Sequence, residues 1–102
     1  MHPVIVQHMA GISAICRRYG VRRLELFGSA ARADDFVPGH SDADFLVEFA
    51  PEPSSDLHRF FGVKADLERL LGVAVDLVEH SAIRNPYVLA EINRSRRSVY
   101  GS

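Results

Sequence analysis

The chain has no tryptophan, one cysteine and one lysine. A single cysteine excludes an internal disulfide. Cys16 stands four residues after Ile12, the spacing of a packed helix position rather than of a reactive thiol. The five histidines share no metal-ligand spacing with one another or with Cys16, which excludes the usual zinc patterns. No apolar run approaches the roughly 18 residues of a membrane span. The N-terminal segment MHPVIVQHMAGISAICRR has a short apolar part and no basic leader, so it does not read as a signal peptide. A soluble, cytoplasmic protein is the expectation. Net charge is −1, which leaves no global basic field and argues against direct nucleic-acid binding. Arg94, Arg96 and Arg97 form a basic C-terminal cluster, read as a solvated helix end. A length of 102 residues allows one core, hence one domain over residues 1–102.

What is present has clear periodicity. Val4, Ile5, Met9, Ile12, Ile15, Cys16 and Tyr19 recur at helical spacing, and Gly20 ends the run. Residues 22–27 alternate, with Leu24 and Leu26 on one face and Arg23 and Glu25 on the other, which predicts a strand. Ser29 is the expected N-cap of a short helix, AARAD. Pro38-Gly39 marks residues 35–41 as a loop. Residues 44–49 predict a second strand. Leu57 to Leu71 predicts a helix capped by Ser55 or Asp56, with Leu57, Phe60, Phe61, Lys64, Leu67 and Leu70 or Leu71 on one side. Val73 to Glu79 predicts a third strand. Asn85-Pro86 opens a last helix with Val88, Leu89 and Ile92 as its apolar stripe. Ser98 to Tyr100 adds a short terminal strand. The order α-β-α-β-α-β-α predicts an α/β (α+β) fold, a small mixed sheet flanked by helices.

The chemistry concentrates in ELFGSAARADDFVPGHSDADFLVEF, residues 25–49. Residues i and i+2 of a strand share a face, so Asp42 and Asp44 project together at the start of the second strand. Asp76 interrupts the apolar third strand. Carboxylates in such places are costly unless paired or bound to a cation. Three oxygen donors on two strands suit magnesium, and two such ions clamp an in-line displacement at phosphorus. Gly28 lets backbone approach phosphates, the amides opening the next helix face the anion, and the Ser29 hydroxyl adds a hydrogen bond. Arg32 lies one turn further on, within reach of a phosphate oxygen. Each motif alone is usually structural: a turn, an N-cap, a solvated strand start. Their combination and order point to a metal-nucleotide site.

GSAAR, SDADFLVEF and VDLVE, in that order, resemble the minimal, single-domain nucleotidyltransferases of the DNA polymerase β-like superfamily. The resemblance runs from about Tyr19 to Tyr100. It implies the polymerase β-like fold, with Asp42, Asp44 and Asp76 as metal ligands and Asp76 assisting deprotonation of the acceptor. It implies Gly28, Ser29 and Arg32 as the nucleotide-binding residues, Mg2+ as cofactor and ATP as substrate. The chain departs from the family where Ala33 replaces the usual glycine and where twelve residues, more than usual, separate Ser29 from Asp42.

Larger relatives carry a further domain that holds the acceptor, and nothing in this sequence does that. Acceptor binding therefore falls to a partner protein or to self-association in a homo-oligomer. Minimal members are commonly antitoxins paired with a helical HEPN-type ribonuclease toxin. The resemblance then implies transfer of AMP from ATP to a tyrosine hydroxyl of that toxin. The alternative is a binding-type antitoxin of weak activity that neutralises by occlusion. Transfer to a small hydroxylic molecule is disfavoured, since the sequence has no room for an acceptor pocket.

Overall fold

In the computed structural model, residues 1–51 and 57–101 are described. Helices α1 (Pro3–Val6) and α2 (Met9–Arg18) lead into strand β1 (Val21–Phe27). A single turn, α3 (Ser29–Arg32), and a loop lead to β2 (Ala43–Phe49). Helix α4 (Leu57–Leu71) crosses to β3 (Val75–Glu79), a 3-10 turn spans His80–Ala82, and α5 (Pro86–Asn93) and β4 (Arg97–Tyr100) follow.

The sheet has the order β3-β2-β1-β4. β1 pairs antiparallel with β2 and β4, and β2 pairs parallel with β3. The α/β expectation therefore holds as a mixed sheet, with α4 as the crossover that a parallel pair requires. Strand alternation divides the two faces. Leu24, Leu26, Phe45, Val47, Val75 and Leu77 join Ile5, Ile12, Cys16, Val63 and Leu67 in one buried cluster. Burial pushes the Cys16 thiol up to about 12, so it behaves as a small apolar side chain. On β2 the alternate residue Asp44 is left to the opposite face.

Several boundaries differ from the periodicity. The first helix is interrupted at Gln7 and His8, where the His8 ring Nδ1 lies 2.7 Å from the Val4 carbonyl oxygen and the chain tightens before α2. On α4 the buried stripe is Val63, Leu67 and Leu71, whereas Leu57 and Phe61 are exposed. The face turns because α2 packs along α4: Tyr19 Oη and Arg18 Nη1 both donate to Asp66 Oδ2, at 3.0 and 2.9 Å. The Tyr19 ring also occupies the space that a Cβ on Gly62 would fill. The cap expected at Ser55 or Asp56 lies outside the described residues. β3 begins at Val75 rather than Val73, where Glu68 Oε2 accepts the Val75 N–H at 3.1 Å.

Helix α3 is shorter than the expected AARAD. Gly28, not Ser29, is its N-cap, and Ser29 is the first helical residue. The turn stops at Ala33, the one non-glycine residue with positive φ (68°) among the described residues. That conformation costs an L-residue about 1–2 kcal/mol, against about 0.5–1 kcal/mol of extra chain entropy that glycine loses on folding. Ala33→Gly is expected to stabilise the fold by about 0.5–1 kcal/mol. Urea unfolding checks this as a higher midpoint at unchanged slope. The long loop then folds on itself. The His40 and Ser41 N–H groups donate to the Val37 carbonyl, the Val37 N–H donates to Ser41 Oγ, and Phe36 is buried against the His2 ring.

Candidate active site

Parallel pairing sets Asp44 of β2 beside Asp76 of β3. Adjacent strands are about 4.8 Å apart, so both carboxyls leave the sheet as neighbours on the face away from the main core. They line one cleft of about 440 Å³ with Phe27, Gly28, Arg32, Val78 and residues of α5. That volume lies within the range of small-molecule sites. Burial first, then the Asp76 and Asp42 charges, push the Asp44 carboxyl up to about 6, with Arg32 opposing.

Asp42 is exposed and does not line the cleft. It precedes Ala43, the first residue of β2, so the pleat does not fix its direction as it fixes that of Asp44. Among the described residues no group of three or more His, Cys, Asp or Glu side chains is placed to hold a metal ion. The three-carboxylate convergence expected from the sequence thus stands as one registered pair, with Asp42 near enough to act on Asp44 through its charge. The donor set is all oxygen and its negative charge is under-compensated, which fits a hard divalent cation.

Gly28 explains itself locally. Its φ is +73°, and a Cβ there would collide with Asp44 Oδ2. Its carbonyl accepts the first N–H groups of α3, from Ala31 and Arg32, both at 3.1 Å. The Ser29 and Ala30 amides precede those bonds, as helix geometry leaves them. Ser29 does not itself line the cleft. Arg32 does, and its Nη2 lies 3.4 Å from Asp35 Oδ2, an exposed and weak pair. No residue of the loop 34–41 lines the cleft, so its extra length leaves the two halves of the site adjacent.

The sequence reading missed the fourth wall. Val88, Glu91, Ile92 and Ser95 line the cleft, and the Gly28 N–H donates to Ser95 Oγ at 2.9 Å. Of the predicted apolar stripe of α5, Ile92 is buried and Val88 is 48% exposed on the cleft. The basic cluster also separates. Arg96 Nε and Nη2 donate to the two Glu25 oxygens at 2.8 and 2.6 Å, which ties the end of α5 to β1. The Arg96 hydrogen bonds, against a smaller opposing effect of burial, hold the Glu25 carboxyl below its usual range. A depressed carboxylate stabilises the fold above its unfolded pKa, and that contribution is lost as pH falls through the lower folded value. Arg96→Ala is expected to cost about 2 kcal/mol near neutral pH and less in acid, read from denaturation at both pH values.

The mixed sheet sets two carboxylates beside a glycine-led helix turn at an open cleft, an arrangement suited to phosphate-ester transfer. The sequence profile of the nucleotidyltransferase domain family matches residues 9–99, and the chain belongs to that family, as a nucleotidyltransferase of the minimal type. It is 43% identical over 75 residues to a candidate protein adenylyltransferase of Methanocaldococcus jannaschii, covering 74% of this chain and 72% of that one. The structure of a candidate minimal nucleotidyltransferase superposes with a TM-score of 0.74 at 31% identity, over 95% of each chain. The fold is also shared with an MNT antitoxin solved in complex with a tri-AMPylated HEPN toxin of Shewanella oneidensis, at TM-score 0.66 and 18% identity, over 96% of this chain and 73% of that one. Among the described residues no helix is long and apolar enough to cross a membrane.

Proposed function

We propose that this nucleotidyltransferase moves AMP from ATP to a tyrosine hydroxyl of a HEPN-type toxin and so acts as its antitoxin in the cytoplasm. The observation that carries the reading is the Asp44–Asp76 register at the floor of a cleft rimmed by Gly28 and Arg32. The relative named a protein adenylyltransferase supports a protein acceptor. The fold neighbour bound to an AMP-modified toxin supports the class of partner.

Asp42, Asp44 and Asp76 would hold Mg2+. When bound, the ions would supply positive charge to the triphosphate and to the clustered carboxylates. Gly28, lacking a Cβ, lets the backbone approach the triphosphate, Ser29 donates to it through its N–H and hydroxyl, and Arg32 adds a charge-assisted contact. Asp76, the more exposed carboxylate of the pair, accepts the tyrosine proton. The tyrosine oxygen bonds to the α-phosphorus, the bond from that phosphorus to the bridging oxygen breaks, and pyrophosphate leaves. The added phosphate charge changes the partner's surface electrostatics.

Co-expression with the toxin tests this reading. Growth is expected to be rescued by the wild-type chain and not by the Asp44→Asn/Asp76→Asn variant. Rescue that survives both substitutions would replace transfer by occlusion.

A further inference from the structure

Ser95 lies between α5 and β4, on the wall of the cleft facing the Gly28 corner. Its Oγ accepts the Gly28 N–H at 2.9 Å. A hydroxyl has two acceptor lone pairs and one proton. Among the described residues no acceptor takes that proton. The Gly28 bond therefore occupies one lone pair of the oxygen and leaves its only donor free beside the cleft.

The residue is also held on both sides. Its own N–H donates to the Ile92 carbonyl at 3.1 Å, and the Arg96 N–H donates to the same oxygen at 3.0 Å. The Arg96 guanidinium then grips both Glu25 oxygens and, through Nη1, Asn93 Oδ1 at 2.6 Å. A donor fixed this way loses little freedom when a ligand arrives. Phe27, Gly28 and Arg32 share the cleft with it on the β1–α3 side, and the last two suit an anion.

We infer that Ser95 is a phosphate-binding residue, its hydroxyl donating to an oxygen of the nucleotide's triphosphate while its Oγ stays bonded to Gly28. This rests on the nucleotide site proposed above. It places one donor of that site on the α5–β4 junction, more than sixty residues beyond the Gly-Ser corner.

The test is calorimetric binding of a non-hydrolysable ATP analogue and of inorganic triphosphate, both with Mg2+, to wild type, Ser95→Ala, Ser95→Thr and Ser95→Cys. Loss of a hydrogen bond to a charged group weakens binding by about tenfold or more. Ser95→Ala is expected to lose that factor for both probes, and Ser95→Thr, which keeps the hydroxyl, to recover it. Ser95→Cys keeps the shape with a weak donor and gives the same loss if the alanine variant does not fold. A purely structural role would lower the melting temperature and leave both affinities at the wild-type value, and that result overturns the inference alone. A wild-type chain that binds neither probe overturns the nucleotide site and this inference together.

Discussion

Asp44→Asn is expected to cut the proposed AMP transfer about 10³-fold and yet raise the melting temperature of the ligand-free protein. The two effects share one cause. Asp44 is half-buried on β2 opposite Asp76, and burial with two neighbouring carboxylates pushes it from 3.8 up to about 6. A carboxyl raised on folding binds its proton more tightly in the folded state. Its contribution to stability is therefore fully present below the unfolded value and is lost as pH rises through about 6. At one pKa unit per 1.36 kcal/mol the ceiling is about 3 kcal/mol, and solvent screening at a partly open cleft brings it to about 1–2 kcal/mol. Asparagine keeps the shape without the charge. It is expected to raise the midpoint by about 4–8 °C per kcal/mol at this chain length, at neutral pH and not at pH 4. The same change removes a charged oxygen donor, and transfer is expected to fall about 10³-fold. Thermal unfolding with and without Mg2+ separates the effects, since the metal should stabilise wild type and leave the variant unmoved.

Gly28→Ala is expected to damage fold and activity together. The backbone there is left-handed at φ +73°, and the new Cβ would occupy the position of Asp44 Oδ2. The backbone cost is about 1–2 kcal/mol, and displacing a packed neighbour adds about 1–3 kcal/mol. Relief requires the Asp44 carboxylate or the start of α3 to move, and both belong to the proposed site. A loss of about 2–4 kcal/mol in urea unfolding should therefore accompany loss of transfer. Ala33→Gly provides the contrast. It also changes a left-handed position, it lies outside the cleft lining, and it should stabilise without loss of activity.

These contrasts show which parts of the molecule its sequence discloses. Strand β1 was legible because Leu24 and Leu26 alternate with Arg23 and Glu25, and pleat geometry turns alternation into faces. Asp44 and Asp76 were legible as candidates because Asp44 opens one apolar strand and Asp76 interrupts another. Asp42 was less so, because it stands just ahead of β2, where no pleat sets its direction. Ser95 carried no local signal. Its place depends on a hydrogen bond to Gly28 and on the Arg96–Glu25 pair, contacts that span 67 and 71 residues. Val88 belongs to the apolar stripe of α5, and helical spacing identifies such a stripe without saying whether the surface it meets is packed or open. The helix begins at Ser29 rather than after it because Gly28 takes the N-cap position at φ +73°, where a Cβ would meet the Asp44 carboxylate.

The most direct test is the intact mass of a purified HEPN-type partner after incubation with this chain and saturating Mg-ATP. The partner is expected to gain the mass of one or more AMP groups at tyrosine, with no gain when Mg2+ is chelated or when Asp44 and Asp76 are both asparagine. A partner that binds the chain and keeps its unmodified mass under saturating Mg-ATP would contradict adenylyl transfer as the function of this site.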